Sequence, residues 1–279
     1  MRSRGAWWGE LTMVDLAALP SSTVALLPVG ATEQHGPHLP TGTDTIIASW
    51  MCSEGARRAD SPAVVLPPVA VGASFGHGYD LPGTVSLTPE LLAAQVVNVV
   101  LWAARTTAIH RFLVVNAHVG NAAALNVATD HLRLERPDLR TAVRDWAALD
   151  ADVATELRAD AEDWHANRGE TAVMMAIAPD LVRWELAVAA DDPDRTGSLV
   201  FRYTAARLSR NGVTGRPSEA TPDLGRRLAE GAADALARLV ERASVEEPPL
   251  DAAQQGLIHS VLSSGRLAAG DAHGHHQAG

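Results

Sequence analysis

The chain has 279 residues, of which 47% are hydrophobic and 20% charged, a composition typical of a globular protein with one large domain or two small ones. Its formal net charge of −10 disfavours nucleic acid as a partner, because phosphate binding requires a basic face. The chain contains no lysine, which excludes Schiff-base chemistry and a lysine-dependent phosphate loop.

The single cysteine, Cys52, excludes an internal disulfide framework and a cysteine-rich zinc site. No apolar run approaches the roughly 20 residues of a membrane span, so no membrane partner is expected. Glu10 and Asp15 follow the early arginines too soon for a secretory signal. The sequence therefore predicts a cytoplasmic protein.

Short apolar runs that end in polar residues predict the strands, at residues 24–30, 63–72, 111–118 and 141–146. Runs of this length that are apolar throughout are typical of strands in a parallel sheet covered by helices on both faces. The polar residues that follow them would collect at the carboxyl edge of such a sheet, where ligands bind in open α/β folds.

Helices are predicted between and after these strands, at residues 88–106, 120–135, 170–182 and 221–243. The first has Thr88 as its N-cap and a proline at its first helical position. Alternating strands and helices predict an α/β fold with a mostly parallel sheet.

The composition changes near residue 245, so we predict a core domain over residues 1–245 and a C-terminal extension over residues 246–279. The end of that extension, GDAHGHHQAG, has the composition of a partly disordered tail. Its histidines, His273, His275 and His276, could bind stray metal without a catalytic role.

Residues 30–45, GATEQHGPHLPTGTDT, form a loop that two prolines prevent from becoming a helix. Its polar candidates are Glu33, His35, His38 and Asp44. Three other segments carry candidates: NAHVGN with His118 and Asn121, DWHANRGET with His165 and Glu170, and GASFGHGYDLPGT with Ser74, His77 and Asp80.

Glu33 and His35 are two residues apart, so both side chains leave the same face of an extended backbone. With Asp44, His118 and Glu170 they make three carboxylates and two imidazoles, a set suited to Zn, Mn or Fe(II). Three carboxylates without metal would repel one another. Two divalent ions roughly 3.5–4 Å apart, bridged by Asp44, would neutralise them and hold a hydroxide.

Each candidate also has a simpler interpretation. His38 could be a solvated or backbone-bonded loop residue, and Asp44 could be the N-cap of a helix. His118 could be an ordinary strand-end residue, Glu170 a first-turn glutamate favoured by the helix dipole, and His165 a packed structural histidine. Their joint occurrence at strand ends is what favours a site.

Taken together, these motifs resemble the creatininase (creatinine amidohydrolase) family. TEQHGPHLPTGTD resembles its E-x-H-G-x-H-L-P…D segment, NAHVGN its N-G-H-G-G-N segment and DWHANRGET its H-A-G-x-x-E-T segment. GHGYDLPGTVSL and GVTGRPSEAT resemble two further family stretches. The likeness extends over residues 8–243.

The resemblance implies a three-layer αβα sandwich and an amidohydrolase with two divalent metal ions. It also implies a homo-oligomer, often a hexamer. Glu33, His35, Asp44 and His118 match the family's ligands, with Asp44 in the bridging place, and Glu170 matches a fifth, carboxylate ligand. His165 matches a residue that moves protons, and an imidazole is suited to protonating a leaving nitrogen.

Creatinine-hydrolysing members carry a carboxylate two residues after the strand-end histidine, where this chain has Gly120. Ala117 and Val119 replace glycines, and Trp164 stands in place of an acidic residue. These departures disfavour creatinine and indicate the subtype that includes formamide deformylases and the mycofactocin-maturation peptidase. The expected substrate is a small molecule or short peptide with an amide-type C–N bond.

The predicted substrate pocket consists of Ser74, His77, Tyr79, Trp146, Trp164 and Asn121. A second enzyme class is suggested by GASFG, which matches the nucleophile elbow of serine hydrolases with Ser74 as nucleophile. An elbow must lead into a helix, which Pro82 and Gly83 disfavour. The remaining alternative is a non-catalytic member of the fold that binds metal or ligand.

Overall fold

The computed structural model of the protein describes residues 4–78 and 80–249. Tyr79, the three tail histidines and the extension from residue 250 onward lie outside the described residues. The first compact unit ends at Ser244, and of the second unit only residues 245–249 are described. The predicted boundary between domain and extension remains a prediction.

The described residues form five strands and nine helices. The strands are β1 Arg4–Trp7, β2 Val24–Val29, β3 Ala63–Val65, β4 Arg111–Asn116 and β5 Arg140–Asp145. The helices are α1 Met13–Ala17, α2 Thr43–Arg58, α3 Pro89–Thr106, α4 Ala122–Glu135, α5 Ala151–Leu157, α6 Arg168–Ile177, α7 Trp184–Ala187, α8 Ala205–Leu208 and α9 Pro222–Val245. None of these helices combines the length and apolar character needed to cross a membrane.

The strands form one parallel sheet in the order β1-β3-β2-β4-β5. From β2 the chain moves to β3 on one side, and it then returns to β4 on the other side of β2. The strand order therefore reverses between β2 and β4. In open α/β sheets, the crevice at the carboxyl ends of such a strand pair is where ligands bind.

Strand β2 shows why the sheet is covered on both faces, since all six of its residues are buried. Val24 and Leu26 belong to a core cluster with residues of α2, α6 and α9. Ala25, Leu27 and Val29 point the other way, into a cluster with α3 and α4. The predicted αβα sandwich around a mostly parallel sheet is confirmed.

Helix ends follow the sequence signals closely. The side chain of Thr88 accepts a hydrogen bond from the backbone N–H of Leu91, and Pro89 occupies the first helical position. Thr221 repeats this arrangement at the start of α9, where its hydroxyl accepts from Leu224 N. Both helices therefore begin with a threonine N-cap, as predicted for Thr88.

The main departures from the predicted elements lie at the edges of the sheet. Strand β3 ends at Val65 rather than near residue 72, because Pro67 and Pro68 lack the N–H groups that a ladder requires. The sequence signals also do not predict β1, whose register shifts around Gly5, where φ is +73°. Helices α1, α2, α5, α7 and α8 are further additions to the predicted set.

A close approach between helices α9 and α6 leads to the first prediction. A Cβ atom added to Gly225 of α9 would lie 1.8 Å from the carbonyl oxygen of Ala172 in α6. Backbone cannot move aside as a flexible side chain can, so Gly225→Ala should destabilise the protein by about 3 kcal/mol. Chemical denaturation monitored by circular dichroism measures the loss.

Gly231→Ala, on the same helix, is the matched control. A Cβ atom there would lie 3.3 Å from a methyl group of Val153, which can adjust. Since alanine favours the helix over glycine by up to about 1 kcal/mol, this variant should be neutral or stabilised. Equal denaturation midpoints for the two variants would contradict the proposed close contact.

Candidate metal centre

The loop after β2 brings Glu33 and His35 to the crevice between β2 and β4. Glu33 N donates to Thr41 O at 2.9 Å, and Gly36 turns the chain with a φ of +62°. A Cβ atom on Gly30 would lie 2.4 Å from Thr45 N, so the loop leaves the strand directly against the start of α2. This packing places the loop beside Asp44 in the first turn of α2.

The five residues predicted as metal ligands converge in this crevice. His35 Nε2 lies 3.2 Å from Asp44 Oδ1 and 3.8 Å from Glu170 Oε1. His118 Nδ1 lies 3.3 Å from Glu33 Oε1 and 3.4 Å from Asp44 Oδ2. Asp44 thus directs one carboxylate oxygen toward each imidazole, which is the position a bridging ligand would take.

All five side chains are buried, and three of them carry polar atoms that no hydrogen bond satisfies. These atoms are Glu33 Oε2, His35 Nε2 and Asp44 Oδ2. Leaving a buried polar atom unpaired typically costs about 1–3 kcal/mol, and more if it is charged. A cation among these atoms would remove the cost, and Glu33, His35 and Asp44 hold ligand atoms within 4.8 Å of one another. The residues present therefore fit a divalent metal.

The backbone sets the tautomer that each imidazole has in its neutral form, which is the form that binds metal. His35 Nδ1 lies 3.1 Å from the carbonyl oxygen of Glu33, to which it donates, so Nε2 keeps its lone pair. His118 Nε2 lies 3.3 Å from the carbonyl oxygen of Ala73, which leaves the lone pair on Nδ1. Metal-bound histidines commonly donate their outer N–H to such acceptors.

The charges of the crevice are strongly coupled. Burial raises the pKa of Asp44 to about 6, aided by the neighbouring Glu33 charge and opposed by His35. Burial would also raise the pKa of Glu33, but His118 outweighs it and holds that pKa well below its usual range. Burial lowers the pKa of His118, but Glu33 overcomes this and raises it to about 9. Without metal, the protonated His118 therefore carries part of the balancing positive charge.

His165 lies beside this cluster, with its ring centroid 4.4 Å from that of His35. Its Nδ1 is 3.7 Å from Glu33 Oε1, and its backbone pairs with Thr214 in both directions. Burial, together with His77 and His35, lowers its pKa well below the usual value. A neutral imidazole at this position can take up and release a proton near the acidic cluster.

The structure contradicts the interpretation of His38 as a solvated or backbone-bonded loop residue. His38 is buried, and its Nε2 lies 2.8 Å from the hydroxyl of Thr171. Thr171 follows Glu170 on α6, so His38 ties the loop to the helix that carries this carboxylate. Likewise, Asp44 is not an N-cap: α2 begins at Thr43 after Gly42, and Asp44 lies within the first turn.

Some of the predicted pocket residues line the crevice, whereas others pack against or within the core. Ser74 and His77 line the crevice, with Ser74 Oγ 3.3 Å from His118 Nε2 and His77 half-buried. Trp164 is half-buried and packs against the core. Trp146, in contrast, is 1% exposed and belongs to the core cluster that contains residues of α2, α6 and α9, and its place in the pocket stays a prediction.

Asn121 is also better described as a brace than as a substrate contact. It is fully buried, and its amide donates to Gly30 O at 2.9 Å while accepting from Ala73 N at 2.8 Å. Its amide hydrogens reach Gly30 O and Asn116 Oδ1, so the side chain joins the loops that follow β2, β3 and β4.

The region 72–84 does not form a nucleophile elbow. After Ser74 the chain makes a single turn of 3-10 helix over Phe75–His77 and continues as loop until α3. The strand–turn–helix geometry that exposes a serine nucleophile is therefore absent from this part of the described chain.

Two features near the site are not indicated by sequence signals, a single residue and a hydrogen-bond network. One is Gln34, whose buried amide touches both His77 and His165. Its position between Glu33 and His35 is the only signal, since alternation along an extended loop turns it to the opposite side. The other group surrounds Asp192, far away in sequence, and no local pattern indicates it.

Asp192 is 1% exposed and anchors the segment 209–215. It accepts from Arg195 at 2.7 and 2.8 Å, from Ser209 Oγ at 3.0 Å, and from the backbone and side chain of Arg210 at 3.0 and 2.8 Å. Hydrogen bonds from Arg195, followed by those of Arg210 and Ser209, overcome burial and hold the pKa of Asp192 well below its usual range.

That segment in turn supports the site. Gly212 O accepts from Gln34 Nε2 at 3.3 Å, and Thr214 pairs with the backbone of His165. Asp192 therefore stabilises the backbone segment that contacts Gln34 and His165.

Comparison with known proteins agrees with this geometry. The model of the creatininase family, described as creatinine amidohydrolase, matches residues 9–240. The chain belongs to the creatininase family. The mycofactocin precursor peptide peptidase of Mycolicibacterium smegmatis is 36% identical over 226 residues, which cover 77% of this chain and 85% of that protein. The predicted subtype is thereby confirmed.

Other members of the creatininase family are more distant but extend over more of the chain. The creatinine amidohydrolase of Pseudomonas putida is 29% identical over 257 residues, covering 84% of this chain and 97% of that protein. A crystal structure of creatinine amidohydrolase superposes with a TM-score of 0.76 at 27% identity, covering 88% of this chain and 100% of that one. The chain is thus a hydrolase that acts on carbon–nitrogen bonds.

The Asp192 network leads to the second prediction. Asp192→Asn should destabilise the protein by about 2 kcal/mol at pH 7, because a buried carboxylate that accepts several charged hydrogen bonds is lost. A depressed pKa stabilises the fold fully above the pKa of an unfolded aspartate, about 3.9. The difference between parent and variant should therefore be constant from pH 8 to 5 and shrink below about 4.

Urea unfolding at several pH values measures this difference. Asp130→Asn is the matched control, since Asp130 forms an exposed pair with Arg133 at 3.1 Å and should contribute nothing measurable. A loss for Asp192→Asn that is no larger than that of the control would show that the network does not anchor the segment.

Proposed function

We propose that this creatininase-family chain is a metal-dependent amidohydrolase that binds two divalent ions, Zn, Mn or Fe(II). Glu33, His35, Asp44, His118 and Glu170 would hold these ions, and Asp44 would be the ligand that both share. The observation that carries the proposal is the set of unpaired buried atoms on Glu33, His35 and Asp44, which a cation would satisfy together. Solved creatininases include a form titled Zn-Zn type and a Mn form.

When bound, such ions supply a hydroxide nucleophile at neutral pH and polarise the carbonyl group of the substrate. The protein residues hold the ligands and move protons. His165 presents its Nδ1 beside Glu33, and its low pKa keeps the ring neutral, so this nitrogen can first take up a proton and then pass it to a departing nitrogen. Glu33, whose pKa is depressed, stays ionised, and its negative charge favours uptake of a proton by this imidazole.

Glu170, rather than a residue after His118, supplies the fifth ligand in this proposal. A Cβ atom on Gly120 would lie 2.3 Å from His118 Nε2 and 2.6 Å from Ala73 O, so no side chain fits there. Glu170 is buried in the first turn of α6, where its Oε2 accepts from Ala166 N at 2.7 Å and Oε1 faces His35. This arrangement supports a substrate other than creatinine.

The proposed substrate is a short peptide or small molecule with an amide-type C–N bond, such as a cyclic amide or a formamide. A peptide is supported by the M. smegmatis relative, which is named a precursor peptide peptidase. The homo-oligomer, the hexamer and the cytoplasmic location remain predictions from the sequence.

Serine hydrolysis remains a minor second candidate because Ser74 Oγ, His118 and Glu33 lie in a chain of contacts at 3.3 Å each. A serine mechanism would survive complete removal of metal by a chelator. The metal mechanism would not, and activity should return when Zn or Mn is added.

Metal content is the third prediction. With His273, His275 and His276 replaced by glutamine to remove stray binding, the full chain should bind close to two metals after dialysis against Zn or Mn. Asp44→Asn should reduce this number to one or fewer, because a bridging ligand serves both ions. Mass spectrometry of dialysed protein provides the count.

Asp223→Asn is the matched control, since Asp223 occupies the same second position of α9 that Asp44 occupies in α2, but is exposed. The control should retain both metals. A parent chain that takes up no metal would overturn the mechanism and favour a non-catalytic binding protein.

The fourth prediction concerns the proton path. On whichever member of a panel of cyclic amides, formamides and short peptides is hydrolysed, His165→Asn should lower kcat by about 10²–10⁴-fold, because general acid catalysis is lost. Its metal content should equal that of the parent. A variant with normal kcat would assign proton transfer to another group.

A further inference from the structure

The amide of Gln34 has only one acceptable orientation. Its Oε1 lies 3.0 Å from Gly36 N, which donates to it, and its Nε2 lies 3.3 Å from the carbonyl oxygen of Gly212. Turning the amide around would place two donors face to face at Gly36 and two acceptors face to face at Gly212. The two backbone groups therefore determine which end of the side chain is the donor.

This orientation determines the tautomer of His77. Gln34 Nε2 lies 3.0 Å from His77 Nδ1, and because the amide nitrogen can only donate, Nδ1 must accept. The proton of the neutral ring is then on Nε2. His77 is half-buried, and no described residue accepts a hydrogen bond from that Nε2. Burial also lowers the pKa of His77, which favours the neutral ring.

The backbone of the same residue determines the tautomer of His165. Its Nε2 lies 2.8 Å from the carbonyl oxygen of Gln34, which accepts, so the proton is on Nε2 and the lone pair is on Nδ1. The amide nitrogen of Gln34 is also 3.1 Å from this Nε2. That contact is not a hydrogen bond, because the two amide hydrogens are directed to Gly212 and His77.

The contacts of Gln34 also affect a second set of residues that could hold a metal ion. Glu33, His77 and His165 hold ligand atoms within 4.8 Å of one another. However, the Nδ1 lone pair of His77 is used by Gln34, and Nε2 carries the proton. Neither nitrogen of His77 can ligate a metal while Gln34 holds the ring, so His77 is better suited to donate a hydrogen bond.

We propose that Gln34 is a positioning residue that sets opposite roles for the two histidines it touches. His77 presents an N–H to an oxygen of the substrate, the carbonyl or carboxylate next to the scissile bond, whereas His165 presents a bare nitrogen. The proposal rests on the proposed hydrolase function of this crevice. It assigns to the substrate an acceptor oxygen that faces His77.

Nuclear magnetic resonance of the Zn-loaded, full-length protein labelled with ¹⁵N in histidine tests the tautomers directly. The ring signals of His77 and His165 are assigned by loss in His77→Phe and His165→Asn. In the parent, His77 should show an unprotonated Nδ1 and a protonated Nε2. A protonated Nδ1 on His77 in the parent would overturn the proposal, without any need for a variant to fold.

Gln34→Glu then tests the cause. A carboxylate next to His77 only accepts, so His77 Nδ1 should become protonated in this variant. Gln95→Glu, an exposed position of α3, is the matched control and should leave both rings unchanged. A His77 ring that keeps its tautomer in Gln34→Glu would show that Gln34 does not set it.

The substrate contact is tested by kinetics. His77→Phe keeps a flat ring but removes the donor, and kcat/KM should fall roughly ten- to hundredfold with unchanged metal content. The exposed His131→Phe is the control and should behave like the parent. An unchanged kcat/KM would remove His77 from substrate binding. If the parent hydrolyses nothing, the function fails, whereas the tautomers are still decided by resonance.

Discussion

The structure depends on one electrostatic constraint: three carboxylates and two imidazoles are buried together at the carboxyl edge of a parallel sheet. Three negative charges that are buried together are unstable unless something positive compensates them. Without metal, the raised pKa of Asp44 and that of His118 favour protons as the compensating positive charge. Divalent cations meet it better, since they also satisfy the unpaired atoms of Glu33, His35 and Asp44.

The surrounding residues hold these charges in place rather than adding to them. Asn121 joins the loops after neighbouring strands, His38 ties the metal loop to α6, and Asp192 anchors the segment that backs His165. Each uses hydrogen bonds between residues distant in sequence, so the geometry is determined by the fold as a whole. Gln34 extends this principle to the proton positions of the histidines beside the charged group.

The reaction class and the choice of substrate rest on different residues. The proposed ligand set, which follows the resemblance to the creatininase family, would account for the hydrolysis of carbon–nitrogen bonds. We expect specificity to depend on positions where this chain departs from the creatinine type, above all Gly120, where there is no room for a side chain. Trp164 and the exposed Phe75 lie beside His165 and Ser74, and they are therefore positions where related members could differ in substrate.

Apolar runs, helix caps and motif spacing are local signals in the sequence. They are sufficient to predict the strands at the centre of the sheet, the capped helices α3 and α9 and the set of acidic and histidine residues. They could not determine that His38 is buried against Thr171, that Trp146 belongs to the core, or that β1 adds an edge to the sheet. Those outcomes depend on packing between distant segments. Only the tertiary structure decided which atoms of Glu33, His35 and Asp44 lack partners and which histidine nitrogen carries the proton. The physical reason is that hydrogen-bond satisfaction in a buried site is a property of all its neighbours together.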